Sequence, residues 1–428
     1  MTSELIRPVK GTKDYYPEEM RVRTWLYQKV REVSESFGYQ EWDAPFLESL
    51  DLYAAKSGQE IVEKQSYVFT DRGGDQITLR PDLTPSLARL VAAKQNQLIF
   101  PLRWWSFGPF WRYERPQKGR GREFFQWNID LIGDDTPAAD AELAAIAAAF
   151  MKSLGLQPDE VSILVNNRPL MDAATEKVGI GKGMRPQAYK LIDRRDKMPP
   201  EAWEKYAGDL GFSNKQLGGL KEVMSNQELW QQSPALVDFF SAIEVYGVGD
   251  YVKFAPQVIR GLDYYTGTVF EAWDTKGEFR SLFGGGRYDN LVDDVGGDPV
   301  PAVGFAVGNM VITLLLEKLG RLPKFENTPS QVMITLFDSD HIKHSLSLAG
   351  ELRQAGINVI THNEPVKLSK QFKYAHRIGV PYAVVLGPEE IADNKAALKN
   401  LDTGEQQSIS RAGLVKHIRG LLESRMSS

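Results

Sequence analysis

Arginine, tyrosine and glycine crowd two short runs of this chain. One is Arg260-Gly261-Leu262-Asp263-Tyr264-Tyr265-Thr266-Gly267, the other Phe283-Gly284-Gly285-Gly286-Arg287-Tyr288-Asp289. Glycine lets backbone approach a ligand where a Cβ would clash. Arginine offers a planar fork of donors that matches carboxylate or phosphate. Tyrosine adds a hydroxyl and a flat ring. Together they suit a small-molecule pocket. Each run also has a plainer reading: a tight hairpin for the glycines, and an ion pair from Arg260 to Asp263 or Glu271.

A third run starts at Phe110-Trp111-Arg112-Tyr113-Glu114 and continues through Arg115, Gln117, Lys118, Arg120 and Arg122 to Glu123-Phe124-Phe125-Gln126-Trp127-Asn128-Ile129-Asp130. It reads as a strand, a basic loop and a returning strand. Side chains alternate across a strand. Phe124, Gln126, Asn128 and Asp130 therefore share one face, and Phe125, Trp127, Ile129 and Leu131 the other. The second face is apolar and belongs in a core. The first carries one ring and three polar groups, as a ligand-binding face would. Arg112 and Glu114 are expected to share a face of the outgoing strand in the same way. The loop's cations, spaced by glycines, suit a polyanion, either nucleotide phosphates or a nucleic-acid backbone. The competing reading is a solvated hairpin whose charges only keep it soluble.

A fourth run, Leu79-Arg80-Pro81-Asp82-Leu83-Thr84-Pro85, places a carboxylate and a hydroxyl on a turn after a strand. Read alone, Asp82 is first an N-cap for a helix beginning near Pro85.

Composition narrows the chemistry further. The chain has 428 residues, 42% hydrophobic and 25% charged, enough for two or three domains. It has no cysteine, so disulfides, thiolate zinc sites and a cysteine nucleophile are excluded. All five histidines follow residue 340. The preceding part therefore cannot host a Ser-His-Asp hydrolase or a histidine-ligated zinc. Chemistry that needs only positioned charge remains open. A net charge of −5 argues against wholesale nonspecific nucleic-acid binding but permits a local basic patch. No apolar run is long enough to span a bilayer and no secretory signal is visible, so the expected location is the cytoplasm and no membrane partner is expected.

The elements that must position these groups follow from periodicity. A helix is predicted over 20–38 and another over 138–154, with Gly38 and Gly155 at their ends. Strands are predicted over 67–80 about the turn Asp71-Arg72-Gly73-Gly74. A helical insertion is expected over 171–252. Strand signals return at Gln257, and an apolar helix is read over 305–319. Beyond the Pro323–Ser330 boundary, strands at 332–336, 357–360 and 382–386 alternate with helices at 341–355 and 368–378, a small α/β domain over 331–428.

Arg112-Tyr113-Glu114-Arg115-Pro116-Gln117-Lys118-Gly119-Arg120 with Phe124 and Gln126 resembles the second signature motif of the class II aminoacyl-tRNA synthetases. The runs from Arg260 and from Phe283 are similar to the two histidine-specific signatures of the histidyl-tRNA synthetase family, and Pro45 fits the proline of the dimer-forming first motif. The resemblance covers nearly the whole chain. It implies an α+β catalytic domain over 1–170 and 253–322, with a mixed, mainly antiparallel sheet flanked by helices, followed by an anticodon-binding α/β domain.

It also implies ATP-dependent activation of L-histidine, ATP carrying Mg²⁺, transfer to tRNA(His), and a homodimer. No protein-held metal site is implied. Arg112 and Arg260 would flank the α-phosphate, with Arg112 also holding the substrate carboxylate. Glu114 and Phe124 would hold adenine, and Arg120 would join the ATP site. Asp82 and Thr84 would bind the α-amino group. Gln126, Asp130, Tyr264, Tyr265 and Tyr288 would line the amino-acid pocket, and Arg115 and Gln117 would meet the tRNA acceptor end. The missing histidines agree, because attack by an ionised carboxylate needs no general base.

The sequence departs from the family at the third motif, Gly304 to Val311. Val311 stands where an arginine that contacts ATP is usual, and no other arginine lies in that segment. A catalytically silent paralogue, acting as a regulatory subunit of ATP phosphoribosyltransferase, is the alternative reading. An RNA-binding module without catalysis is another.

Overall fold

The computed structural model describes residues 6–54, 65–259, 265–362 and 364–426. The chain forms two compact units, Met1–Leu322 and Pro323–Ser428.

The first unit is built on eight strands: β1 (Gln40–Glu41), β5 (Leu102–Trp111), β6 (Glu123–Ile132), β7 (Val161–Asn167), β8 (Val252–Phe254), β9 (Thr268–Asp274), β10 (Phe283–Arg287) and β11 (Ala302–Gly308). Their spatial order is β1-β5-β6-β11-β10-β9-β7-β8. The outermost pair at each end is parallel and all other neighbours are antiparallel. A small antiparallel sheet of β2 (Leu47–Ser49), β3 (Tyr67–Thr70) and β4 (Gln76–Leu79) stands beside it, in the order β2-β4-β3.

The period-two pattern of β6 sorts its side chains as expected except for Phe125, which is half-buried outside the main core, stacked on Phe107 at 6.0 Å. Trp127, Ile129 and Leu131 enter the main core with Val303, Phe305 and Val307 of β11 and Phe270 and Ala272 of β9. The helices Pro17–Ser36, Pro137–Ser153 and Asn309–Leu319 supply the other half of that core through Leu26, Val30, Ile146, Phe150, Ile312 and Leu315. Trp127 is fully buried between Phe150 and Phe305, with ring centroids 4.9 and 5.0 Å away in edge-on contact. Each such pair adds about 1 kcal/mol beyond its area.

Local signals set the helix limits. Pro17 opens the first helix, the Glu19 carboxylate accepts from the Tyr16 N–H, and Gly38 beyond its end takes φ +81°. Thr136 caps Pro137–Ser153 by accepting from the Ala139 N–H.

Three expectations are corrected. The returning strand is Val252–Phe254, and Gln257 lies in a turn, because Pro256 has no N–H to continue a ladder. Residues 305–308 belong to β11, and the helix starts at Asn309. The outgoing hairpin strand ends at Trp111, so Arg112 and Glu114 occupy irregular backbone. Between β7 and β8 the chain is helical, with helices Arg168–Lys177, Arg185–Asp193, Pro200–Asp209, Asn214–Ser225 and Pro234–Tyr246.

The second unit is a five-stranded sheet of β12 (Val332–Ile334), β13 (Val359–Thr361), β14 (Tyr382–Val385), β15 (Lys395–Asn400) and β16 (Gln406–Ser410), in the order β13-β12-β14-β15-β16. The first three strands are parallel and the last two antiparallel. Helices Ile342–Gln354 and Leu368–Arg377 make the crossovers, as the alternation predicts. The antiparallel pair and the helix Arg411–Met426 were not read from the sequence.

Candidate active site

The face of the large sheet opposite the main core is floored by small and polar residues in register. Gly108, Gln126 and Gly308 form one row across β5, β6 and β11. Ser106, Asn128, Ala306, Gly284 and Glu271 form the next, and Trp104, Asp130, Gly304, Gly286 and Val269 the third. Glycine at sheet centre usually marks close approach of a ligand or another group. Here a Cβ on Gly304 would stand 2.1 Å from Asp130 Oδ1, so only glycine leaves that carboxylate in place.

A cavity of about 220 Å³ opens over this floor. Arg112, Glu114, Arg120, Phe124 and Gln126 line it, together with Glu271, Arg280 and Val311. Phe124 stacks on Phe110 at 5.8 Å, and the Arg112 guanidinium lies 5.4 Å from the Phe124 ring centre. Arg112 Nε donates to the Pro81 carbonyl at 2.8 Å, which ties the basic hairpin to the Arg80–Asp82 turn. Arg120 pairs with Glu114 at 2.8 Å. A carboxylate has more lone-pair positions than one guanidinium fills, so Glu114 keeps acceptor capacity. The loop turns tightly at Gln117–Arg120, whose backbones exchange two hydrogen bonds around Gly119 at φ +77°. Arg115 and Gln117 are exposed on that loop and do not line the cavity.

Arg80 is fully buried. It donates to Asp43 and the Ala44 and Pro109 carbonyls and lies between the Phe46 and Phe110 rings. This buried cation locks the turn that carries Asp82. Asp82 Oδ1 accepts from both the backbone N–H and the hydroxyl of Thr84. The helix is Thr84–Lys94 and its N-cap position is Leu83, so Asp82 stands one residue before the cap expected of it.

Asp130 is buried at the sheet floor and accepts a short hydrogen bond from the Tyr288 hydroxyl. Burial pushes its carboxyl up to about 7, against the Tyr288 hydrogen bond and with the charge of Asp82 adding to the rise. Asp82 and Asp130 are therefore electrostatic neighbours. Tyr265 and Tyr288 both pack in the smaller core beneath the helix Thr84–Lys94. Arg260 and Tyr264 lie outside the described residues.

Sequence reasoning missed two arginine roles. Arg287, inside the second Gly-rich run, is a structural group. It pairs with buried Asp140 at 2.7 Å and also bonds the Asp134 and Thr136 carbonyls and Asp289. Asp289 in turn accepts from Thr266 at 2.6 Å. Both signature runs are thus clamped to the start of the helix Pro137–Ser153. Arg287→Ala should leave buried Asp140 without its charge partner, with only the Thr268 hydrogen bond remaining, and cost about 3 kcal/mol. A denaturation midpoint unchanged from the parent chain would refute that. The second missed group is Arg280, taken up below. It stands in irregular backbone before β10, so strand alternation does not flag it. Among the described residues no cluster of three or more acidic or histidine side chains forms a metal cage.

An antiparallel sheet with a basic hairpin over a glycine-lined floor is the class II aminoacyl-tRNA synthetase architecture. The family model described as Histidyl-tRNA synthetase matches residues 11–311, and an anticodon-binding domain model matches 331–421. A chloroplastic/mitochondrial histidine--tRNA ligase of Arabidopsis thaliana is 37% identical over 96% of this chain and 86% of its own. The histidine--tRNA ligase of Haloarcula marismortui is 35% identical over 94% and 95%. A crystal structure of histidyl-tRNA synthetase from Nostoc sp. superposes with a TM-score of 0.83 at 26% identity, covering 97% of this chain and 99% of that one. The chain belongs to the histidyl-tRNA synthetase family.

Proposed function

We propose that this protein activates L-histidine with ATP to form histidyl-adenylate and transfers the histidyl group to tRNA(His). The observation that carries this reading is one sheet face holding a cation-lined cavity and, beside it, a buried acid bonded to a tyrosine hydroxyl. The first suits a triphosphate. The second suits an imidazole, whose polar nitrogens would otherwise cost about 1–3 kcal/mol each when buried unpaired.

The substrate carboxylate attacks the α-phosphorus, and pyrophosphate leaves. Arg112 and Arg260 stabilise the charge spread over the phosphoryl oxygens. Phe124 offers a ring for adenine to stack on, and Glu114 accepts from its amino group. Arg120 holds Glu114 and adds positive charge at the cavity mouth. Asp82 and Thr84 receive the α-ammonium. Gln126, Asp130, Tyr264, Tyr265 and Tyr288 read the imidazole. Mg²⁺ enters with ATP as a Lewis acid on its phosphates. Hard oxygen donors suit that ion, and Glu271, the cavity carboxylate not assigned to adenine, would hold it. Arg115 and Gln117, exposed on the loop, meet the tRNA acceptor end. The helices inserted between β7 and β8 add tRNA contact, and residues 331–428 bind the anticodon.

The protein works as a cytoplasmic homodimer. No helix among the described residues is long and apolar enough to cross a membrane. The small sheet next to Pro45 leaves Phe46, Leu47 and Phe69 about half exposed, an apolar face suited to a second copy. Light scattering should read the mass of two chains, and of one chain for Leu47→Glu. A single-chain mass for the parent protein would sink the dimer.

Histidine-dependent ATP–pyrophosphate exchange, run with each of the twenty amino acids, tests the main reading. Exchange with histidine alone supports it. No exchange with any amino acid, in a protein that still binds a phosphoribosyltransferase partner, would favour the regulatory paralogue.

A further inference from the structure

The third motif segment is occupied with holding the basic hairpin. Asn309 Oδ1 accepts from the Phe125 N–H at 3.1 Å. Met310 and Val311 lie against the loop, where a Cβ on Gly121 would come within 3.4 Å of the Met310 sulfur and one on Gly119 within 3.1 Å of Val311 Cγ2. These side chains prop the loop from beneath, and none of them carries charge. The cavity wall at that point is apolar.

Arg280, in the connection between β9 and β10, lines the same cavity. The tip of the basic loop reaches toward the same connection, with Lys118 Nζ 5.7 Å from the Phe279 ring centre. Arg112, Arg120 and Arg280 thus share one cavity with two carboxylates. Glu114 is engaged by Arg120, and Glu271 accepts from the Trp273 indole. Arg280 makes no hydrogen bond or ion pair among the described residues. Burial, Arg120 and Arg112 all hold its guanidinium below the usual range, against Glu114 and Glu271. Three guanidinium groups around one space leave an uncompensated positive field that a polyanion would relieve.

We propose that Arg280 binds the β- and γ-phosphates of ATP, supplying from the β9–β10 connection the cation that Val311 does not. The inference rests on the ATP-dependent reading above. It assigns the two ends of the nucleotide to different parts of the cavity. The base lies over Phe124 and the α-phosphate near Arg112. The triphosphate tail turns toward Arg280. Arg280 pairs with no carboxylate among the described residues, so its removal strands no buried partner there and the fold should survive.

The test is calorimetric titration of MgATP and of adenosine into the parent protein, Arg280→Ala and Arg280→Lys. Loss of one charge-assisted contact should weaken MgATP by about 10- to 100-fold in Arg280→Ala, with adenosine unchanged. Lysine keeps the charge but not the fork, and should fall between. In pyrophosphate exchange the ATP KM should rise by the same factor while the histidine KM holds. Equal MgATP affinity in parent and Arg280→Ala would overturn the proposal. So would an equal loss of MgATP and adenosine, which would make Arg280 part of the adenine wall. A selective loss of MgATP in a protein that shows no histidine-dependent exchange would uphold the phosphate contact and remove the synthetase reading.

Discussion

Arg112→Ala is expected to lower histidine-dependent pyrophosphate exchange by about 10²- to 10³-fold, the usual cost of removing one preorganised donor from a developing oxyanion. The structure explains why the loss should fall on chemistry and spare the fold. Among the described residues no carboxylate pairs with Arg112, and its one side-chain hydrogen bond goes to the Pro81 carbonyl. The side chain is half-exposed in a cavity that already holds Arg120 and Arg280. Removing one of three mutually repelling cations costs little in the empty protein. The contrast with Arg287 is direct. That guanidinium is buried against Asp140, so its loss should appear as instability with proportional loss of activity. Arg112→Lys keeps a charge but cannot reach phosphate and carboxylate with one fork, and should recover only about tenfold. The readout is exchange rate beside a thermal midpoint. Full exchange by Arg112→Ala would remove Arg112 from the reaction.

The same contrast shows what the sequence could disclose. The alternation on β6 was legible because one face packs a continuous apolar core, and every position there must be large and nonpolar. β11 was harder. It lies between β6 and β10, and its site face is Gly304, Ala306 and Gly308. Small residues on one face and Phe305 and Val307 on the other read as an apolar helix until the neighbouring strands are known. β15 was missed because Lys395-Ala396-Ala397-Leu398-Lys399-Asn400 has little strand preference, and its antiparallel partners hold it in place. The site residues that are near in sequence, such as Arg112, Glu114 and Phe124, were visible as a motif. The Arg287–Asp140 pair was not, since its members are 147 residues apart and neither stands out as one of a pair. Arg280 looked like an ordinary solvated charge at a turn. Only the fold brings it to a wall with Arg112 and Arg120.

Asp130→Asn should raise the histidine KM by about 10²-fold or more while leaving the ATP KM unchanged, because a site built around a hydrogen-bonding group discriminates strongly through that group. Its pH profile is the sharper test. In the empty pocket burial lifts the Asp130 carboxyl to about 7. Free histidine takes up its imidazole proton near 6.5, about the ordinary value. Above both values a carboxylate meets a neutral imidazole and accepts from its N–H. With one proton between them, the two groups still form a donor and an acceptor. Below both values a carboxylic acid faces an imidazolium, the charge pair is lost, and only the weaker carbonyl oxygen is left to accept the N–H. The histidine KM should therefore climb as pH falls from about 7 to about 5.5, more steeply than the titration of histidine alone. The Tyr288 hydroxyl, already donating to Asp130, supports the charged form and keeps the carboxylate oriented. Gly304 has no side chain to displace that carboxylate. In Asp130→Asn the side chain is neutral at every pH, so the acid-side rise should flatten to the titration of the substrate. If the variant kept the parent's steep rise, another group would be reading the imidazole, and Asp130 would be a buried partner of Tyr288 only.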